Sequence, residues 1–114
     1  MRIYHITTQP DWQAALQAGD YRADTLASQG FIHCSTREQI LPVAQRYYPG
    51  RTGLLLLCIE TDQVIAPIRY ENLEGGMELF PHIYGALNLD AVVKVVSFLP
   101  GPGGIFSFPD ELEP

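Results

Sequence analysis

A chain of 114 residues with 13 acidic against 7 basic side chains and a formal charge of −6 is about one domain long, able to bury one core without staples. It has no cluster of Lys or Arg, so a nucleic-acid backbone is repelled more often than attracted and no DNA or RNA partner is expected. The longest apolar run, Leu54 to Ile59, is far short of the ~20 residues that cross a bilayer.

The N-terminus has no uninterrupted apolar stretch and no small-residue cleavage site, so it reads as the opening strand rather than a secretion signal. Cys34 and Cys58, the two cysteines, both lie in apolar runs, where a small buried thiol is the ordinary occupant. The expectation is a cytoplasmic protein with no membrane partner.

In chain order, Arg2 to Ile6 predicts a strand. Thr8 with Asp11 three places on is a capping signal for a short helix through Trp12, Ala15 and Leu16 that stops at Gly19. The polar stretch from Tyr21 to Gln29 is too poor in apolar residues for a long element, and Gly30 releases the chain into a strand from Phe31 to Cys34. Ser35 with Glu38 forms a second capping box, opening a helix with Ile40, Val43, Ala44 and Tyr47 on one face, kinked or divided at Pro42 and ended by Pro49-Gly50.

Leu54 to Glu60 is apolar on both faces and therefore a central strand. Val64 to Glu71 is a strand interrupted by Pro67, which belongs at an edge. After the Glu74-Gly75-Gly76 connection come the strand-like Phe80 to Gly85, a turn or single helical turn at Leu87 to Ala91, and a last β-branched strand from Val92 to Phe98. Residues 1–99 read as the core domain. Residues 100–104 cannot be regular structure, and an acidic tail from Ile105 to Pro114, carrying Phe106 and Phe108, either docks on the body or pairs with another subunit. Helices early and strands late, without strict alternation, favour a single α+β domain of mixed or antiparallel sheets over a doubly wound one.

Three histidines, each in an apolar extended run, carry the chemistry: Ile3-Tyr4-His5-Ile6-Thr7, Phe31-Ile32-His33-Cys34-Ser35 and Phe80-Pro81-His82-Ile83-Tyr84-Gly85. Each is followed two places later by a hydroxyl, and positions i and i+2 share a strand face. A buried imidazole or hydroxyl without a partner is costly, so three such faces imply a polar pocket. Each residue also has a structural explanation: Ser35 as a helix cap, Cys34 as core on the face opposite His33, Tyr84 as a packing aromatic, Glu71 and Glu78 as solvent-facing charges, one of which could orient an imidazole. No Gly-rich dinucleotide loop, Walker A sequence or C-x-x-C pair is present.

These three motifs resemble a bacterial family known as domain of unknown function 952, over nearly the whole chain. That family in turn is distantly similar to the ADP-ribosyltransferase clan, two abutting sheets with a cleft for NAD. The resemblance implies that His5 and Thr7 hold a nicotinamide ribose, that His33 and Ser35 occupy the clan's second position, and that the third, commonly a catalytic Glu, is replaced by His82 and Tyr84. The expected ligand is NAD or a nucleotide-like small molecule. His82 and His33 are expected as catalytic groups, and His5, Thr7, Ser35 and Tyr84 as binding groups; His5→Ala and His82→Ala are expected to abolish binding with little loss of fold. Two further readings stand beside it. A three-histidine site for a metal-dependent hydrolase would use the same rings, and a non-enzymatic module would dimerise through its tail.

Overall fold

The computed structural model describes residues 1–112. The chain runs β1 (Arg2–Thr8), α1 (Gln9–Ala18), β2 (Asp20–Tyr21), α2 (Asp24–Gln29), β3 (Ile32–His33), α3 (Ile40–Tyr47), β4 (Leu54–Glu60), β5 (Ile68–Glu71), β6 (Phe80–Ile83), β7 (Leu87–Asn88) and β8 (Val92–Phe98), with short 3₁₀ turns at Thr61–Gln63, Leu89–Ala91, Pro102–Gly104 and Asp110–Leu112. The strands form three sheets, ordered β1-β4-β8, β2-β7 and β3-β6-β5. Every strand pairing among the described residues is antiparallel. The fold is therefore α+β with antiparallel sheets, one of the two arrangements expected, although only β5 and β6 among the paired strands follow each other directly in the chain.

β4 is central, as its unbroken apolar run dictates. Its two faces bury two cores. On one, Ile3, Leu55, Leu57 and Ile59 pack against Trp12, Tyr21, Ile32, Ile83 and Leu87. On the other, Tyr4, Ile6, Leu54, Leu56 and Cys58 pack against Ile40 and Ala44 of α3 and against Phe106 and Leu112 near the C-terminus. Phe106 stacks on Phe98 with ring centroids 4.8 Å apart, Phe108 meets Tyr4 edge-on at 5.4 Å, and the Arg37 guanidinium lies 3.6 Å over the Phe108 ring. Described residues of the tail are thus docked on the body of the same chain.

Local chemistry follows the sequence in places and departs in others. Thr8 caps α1 by accepting from the Asp11 N–H at 3.3 Å, and Gly19 closes it in the left-handed conformation. The Ser35–Glu38 capping box does not form. Ser35 is a strand bridge to Tyr4, and a turn one residue on takes its place, with the Thr36 N–H donating to Gln39 Oε1 at 3.0 Å before α3 begins at Ile40. Because α3 starts there, Pro42 falls in its first turn, where its missing N–H has no intrahelical partner to lose, and the expected kink is absent. The strand read from Val64 begins only at Ile68, after Pro67, and β5 is an edge strand. The segment expected to be irregular holds a 3₁₀ turn at Pro102–Gly104.

Candidate functional site

Along β1, His5 and Thr7 share the face turned toward β2, and Tyr21 is brought over them by the two-residue pairing of β2 with β7. His5 Nδ1 lies 2.5 Å from the His33 carbonyl oxygen, and its Nε2 lies 2.8 Å from the Tyr21 hydroxyl, which is 2.9 Å from Thr7 Oγ1. A carbonyl only accepts, so His5 carries its proton on Nδ1. Burial drives the imidazole down to about 4, so near neutral pH the ring is uncharged and Nε2 is an acceptor. The single Tyr21 proton therefore goes to His5, and the Thr7 hydroxyl donates to the Tyr21 oxygen. Burial correspondingly raises Tyr21 above its ordinary range.

A second cluster forms where β3, β6 and β5 lie side by side. His33 is directly opposite His82, and His82 opposite Arg69, so all three share one sheet face. The His33 and His82 rings are 5.0 Å apart edge to face, and Phe31 stacks on His82 at 4.4 Å. His82 Nδ1 donates to Glu71 Oε1 at 3.0 Å. The same carboxylate oxygen takes the Tyr84 hydroxyl, and these two donors hold the Glu71 carboxyl below the usual carboxylate range while Tyr84 is raised. His33 Nε2 donates to Gln29 Oε1 at 3.0 Å. Burial, and then the neighbouring His82, push His33 below its ordinary value.

The two clusters share one cleft of about 990 Å³. The Tyr4–Ser35 bridge ties the first sheet to the third. Beyond it Ile6 and Thr8 continue the same edge of β1, and there the cleft opens between α3 and the segment after β2. His5, Thr7, His33, Ser35 and His82 all line it. His82 is 4% exposed and His5 8%, whereas His33 is open to solvent. Five of the six expected site residues are thus brought together. The sixth, Tyr84, is not: its ring sits under the Arg69 guanidinium at 4.9 Å, its hydroxyl serves Glu71, and it lies outside the lining. Glu71 and Glu78 both line the cleft, but only Glu71 is tied to an imidazole.

Other roles are narrowed by the same geometry. Cys34 is buried in the core and its thiol is raised far above the ordinary range, which leaves it inert as a nucleophile. No group of three His, Cys, Asp or Glu among the described residues has the arrangement of a metal centre. Both His5 nitrogens are committed to protein partners, which corrects the three-histidine metal reading. Two residues were missed from the sequence. Phe31 was signalled by its i−2 relation to His33, but Tyr21 gave no signal, because a two-residue strand has no periodicity.

The fold and the cleft define a small α+β domain whose imidazoles gather at one polar hollow. Over residues 6–95 the chain matches the family described as protein of unknown function (DUF952), and it belongs to that family. It is similar to protein CC0527 of Caulobacter crescentus. A crystal structure of that protein superposes with a TM-score of 0.84 at 28% identity, covering 94% of each chain, and its solution NMR structure gives 0.83 at 28% identity over 97% of this chain and 96% of that one. Comparison with curated proteins finds no match. No helix among the described residues is long and apolar enough to cross a membrane.

Proposed function

We propose that the cleft binds NAD or another nucleotide-like small molecule, with His33 and His82 facing the reacting part of the ligand. The observation that carries this is the opposed His33 and His82 pair on the cleft wall, one ring held by Glu71 and the other open to solvent. An imidazole whose Nδ1–H is anchored by a carboxylate presents Nε2 as an acid–base group, the arrangement general catalysis uses. The concave volume, large enough for a cofactor-sized ligand and lined by many hydrogen-bonding side chains, supports a site for a polar small molecule.

The distant likeness of the three motifs to the ADP-ribosyltransferase clan supports NAD as ligand and transfer of an ADP-ribosyl group as the class of reaction. In this reading His33, whose Nε2 proton is held by Gln29, offers Nδ1 as an acceptor to a ribose hydroxyl, and His82 moves a proton. His5 and Thr7, already engaged with Tyr21, shape the cleft wall. Glu71, beside His82 rather than at the motif position, is the carboxylate nearest to the clan's catalytic Glu in chemistry, and its place is to orient His82. A ligand that binds only the folded state raises its melting temperature. Thermal-shift screening with NAD, ADP-ribose, nicotinamide and nucleoside phosphates is expected to give a rise with at least one phosphate-bearing nucleotide, and no rise with any of them would remove this reading.

A further inference from the structure

Arg46, near the end of α3, and Arg51, just after it, both line the cleft and both are exposed. Each lies near an aromatic ring of the same wall, Arg46 at 5.3 Å from the Tyr47 centroid and Arg51 at 5.5 Å from that of Tyr48. Neither has an ion pair to a carboxylate among the described residues, in a chain with nearly twice as many acidic as basic groups. Arg2, by contrast, is paired with Glu60 and Arg22 with Asp20, whereas Arg69, outside the cleft lining, lies over the Tyr84 ring.

The topology separates this end of the cleft from the histidines. Ser35 meets Tyr4 at one end of β1, whereas Thr8 at the other end pairs with Leu54, three residues past Arg51. Four residues of strand place the two ends roughly 13 Å apart. Likewise Gln39, whose amide donates to the Leu79 carbonyl at 2.7 Å, is seven residues before Arg46, or roughly 10 Å along a helix. The carboxylates of Glu71, Glu74 and Glu78 lie in the lining at the Leu79 end. Asp11 and Asp24, the latter in the segment after β2, also line the cleft, and Arg46 and Arg51 are its arginines among the described residues.

We propose that Arg46 and Arg51 form the phosphate-binding end of the cleft, holding the pyrophosphate of a nucleoside diphosphate while the acidic, histidine-lined end takes an uncharged or cationic portion of the same ligand. Guanidinium forks match phosphate oxygens in pairs, and Tyr47, 55% exposed, offers a flat apolar face beside them. The inference deepens the nucleotide reading and rests on it for the remainder of the ligand.

Calorimetric titration of the full chain with inorganic pyrophosphate, ADP, NAD and adenosine tests it, using the wild type, the Arg46→Gln/Arg51→Gln double variant and Arg22→Gln as a charge control. The wild type is expected to bind pyrophosphate and ADP. The double variant is expected to bind them roughly tenfold or more weakly, the scale of losing charge-assisted bonds, with Arg22→Gln and all melting temperatures little changed. Absence of pyrophosphate and ADP binding by the wild type, or equal binding by the double variant, would overturn the inference. NAD bound equally well by wild type and double variant removes this subsite alone. Arginine-dependent pyrophosphate binding without any for NAD keeps the subsite and removes the NAD reading.

Discussion

His5 and Tyr21, sixteen residues apart in the chain, are joined by a buried 2.8 Å hydrogen bond, the hydroxyl donating to Nε2 of an imidazole whose tautomer is fixed by the His33 carbonyl. Replacing Tyr21 by Phe deletes one oxygen and leaves both His5 Nε2 and Thr7 Oγ1 without that partner. An unsatisfied buried polar group costs about 1–3 kcal/mol. Tyr21→Phe is expected to lower the denaturation midpoint accordingly at neutral pH, and an unchanged midpoint would show that water replaces the hydroxyl without cost.

The same burial revises the expectation that His5→Ala spares the fold. Two hydrogen bonds and a packed ring are lost together, so His5→Ala is expected to destabilise the chain by about 2–5 kcal/mol, the range of large-to-small changes in a core. His33→Ala, at an exposed ring, is expected to change stability by less than about 1 kcal/mol. Equilibrium urea unfolding of both variants separates the two roles, and equal losses would contradict the division into a buried relay and an open imidazole.

Acid should weaken the protein through His5 before it touches the carboxylates. The imidazole stands at about 4 against an ordinary 6.5, so the unfolded chain takes up the proton first. Stability is complete above about pH 6.5 and is lost as pH falls toward 4, by about 2 kcal/mol between about pH 7.5 and pH 5. His33, also lowered, acts with the same sign. Urea midpoints at the two pH values check this, with His5→Gln expected to show the smaller drop. A wild type equally stable at both would refute a neutral buried His5.

Gly85, the last residue of the third histidine motif, has φ +155°, and a Cβ built there would stand 2.9 Å from the Ala66 Cβ. Gly85→Ala therefore meets both backbone strain and a close contact, and a loss of about 1–3 kcal/mol is expected from its thermal or urea midpoint. A stability equal to wild type would mean that the 66–67 segment yields freely.

Much of the fold was legible because the informative elements are long or punctuated. Leu54 to Glu60 could only be a central strand, Thr8 and Gly19 bracket α1, and Pro67 places β5 at an edge. What failed depended on tertiary pairing. Ser35 looked like a cap because Glu38 follows at the right spacing, yet its backbone is taken by Tyr4, and Thr36 with Gln39 starts the turn instead. The histidine motifs were readable as faces of strands, since i and i+2 lie together. That rule placed Tyr84 beside His82 correctly but could not show that Glu71, from the neighbouring strand, would claim its hydroxyl. Tyr21 reaches His5 through a pairing only two residues long, too short to leave a pattern.

The tail offers a separate check on the core. Phe106 is buried and stacks on Phe98, so Phe106→Ala is expected to cost about 3–5 kcal/mol, as for other buried aromatics. Urea unfolding decides it, and a cost below about 1 kcal/mol would mean that the segment is not docked in solution.

The most direct measurement is the ¹H–¹³C spectrum of the imidazole Cε1–H groups, in which three histidines give three signals, recorded during titration with NAD and with ADP-ribose. Variants His33→Gln and His82→Gln assign the signals. The expected result is a saturable displacement of the His33 and His82 signals with at least one of the two ligands. Signals that stay in place through millimolar additions of both would contradict a nucleotide-binding cleft at these rings.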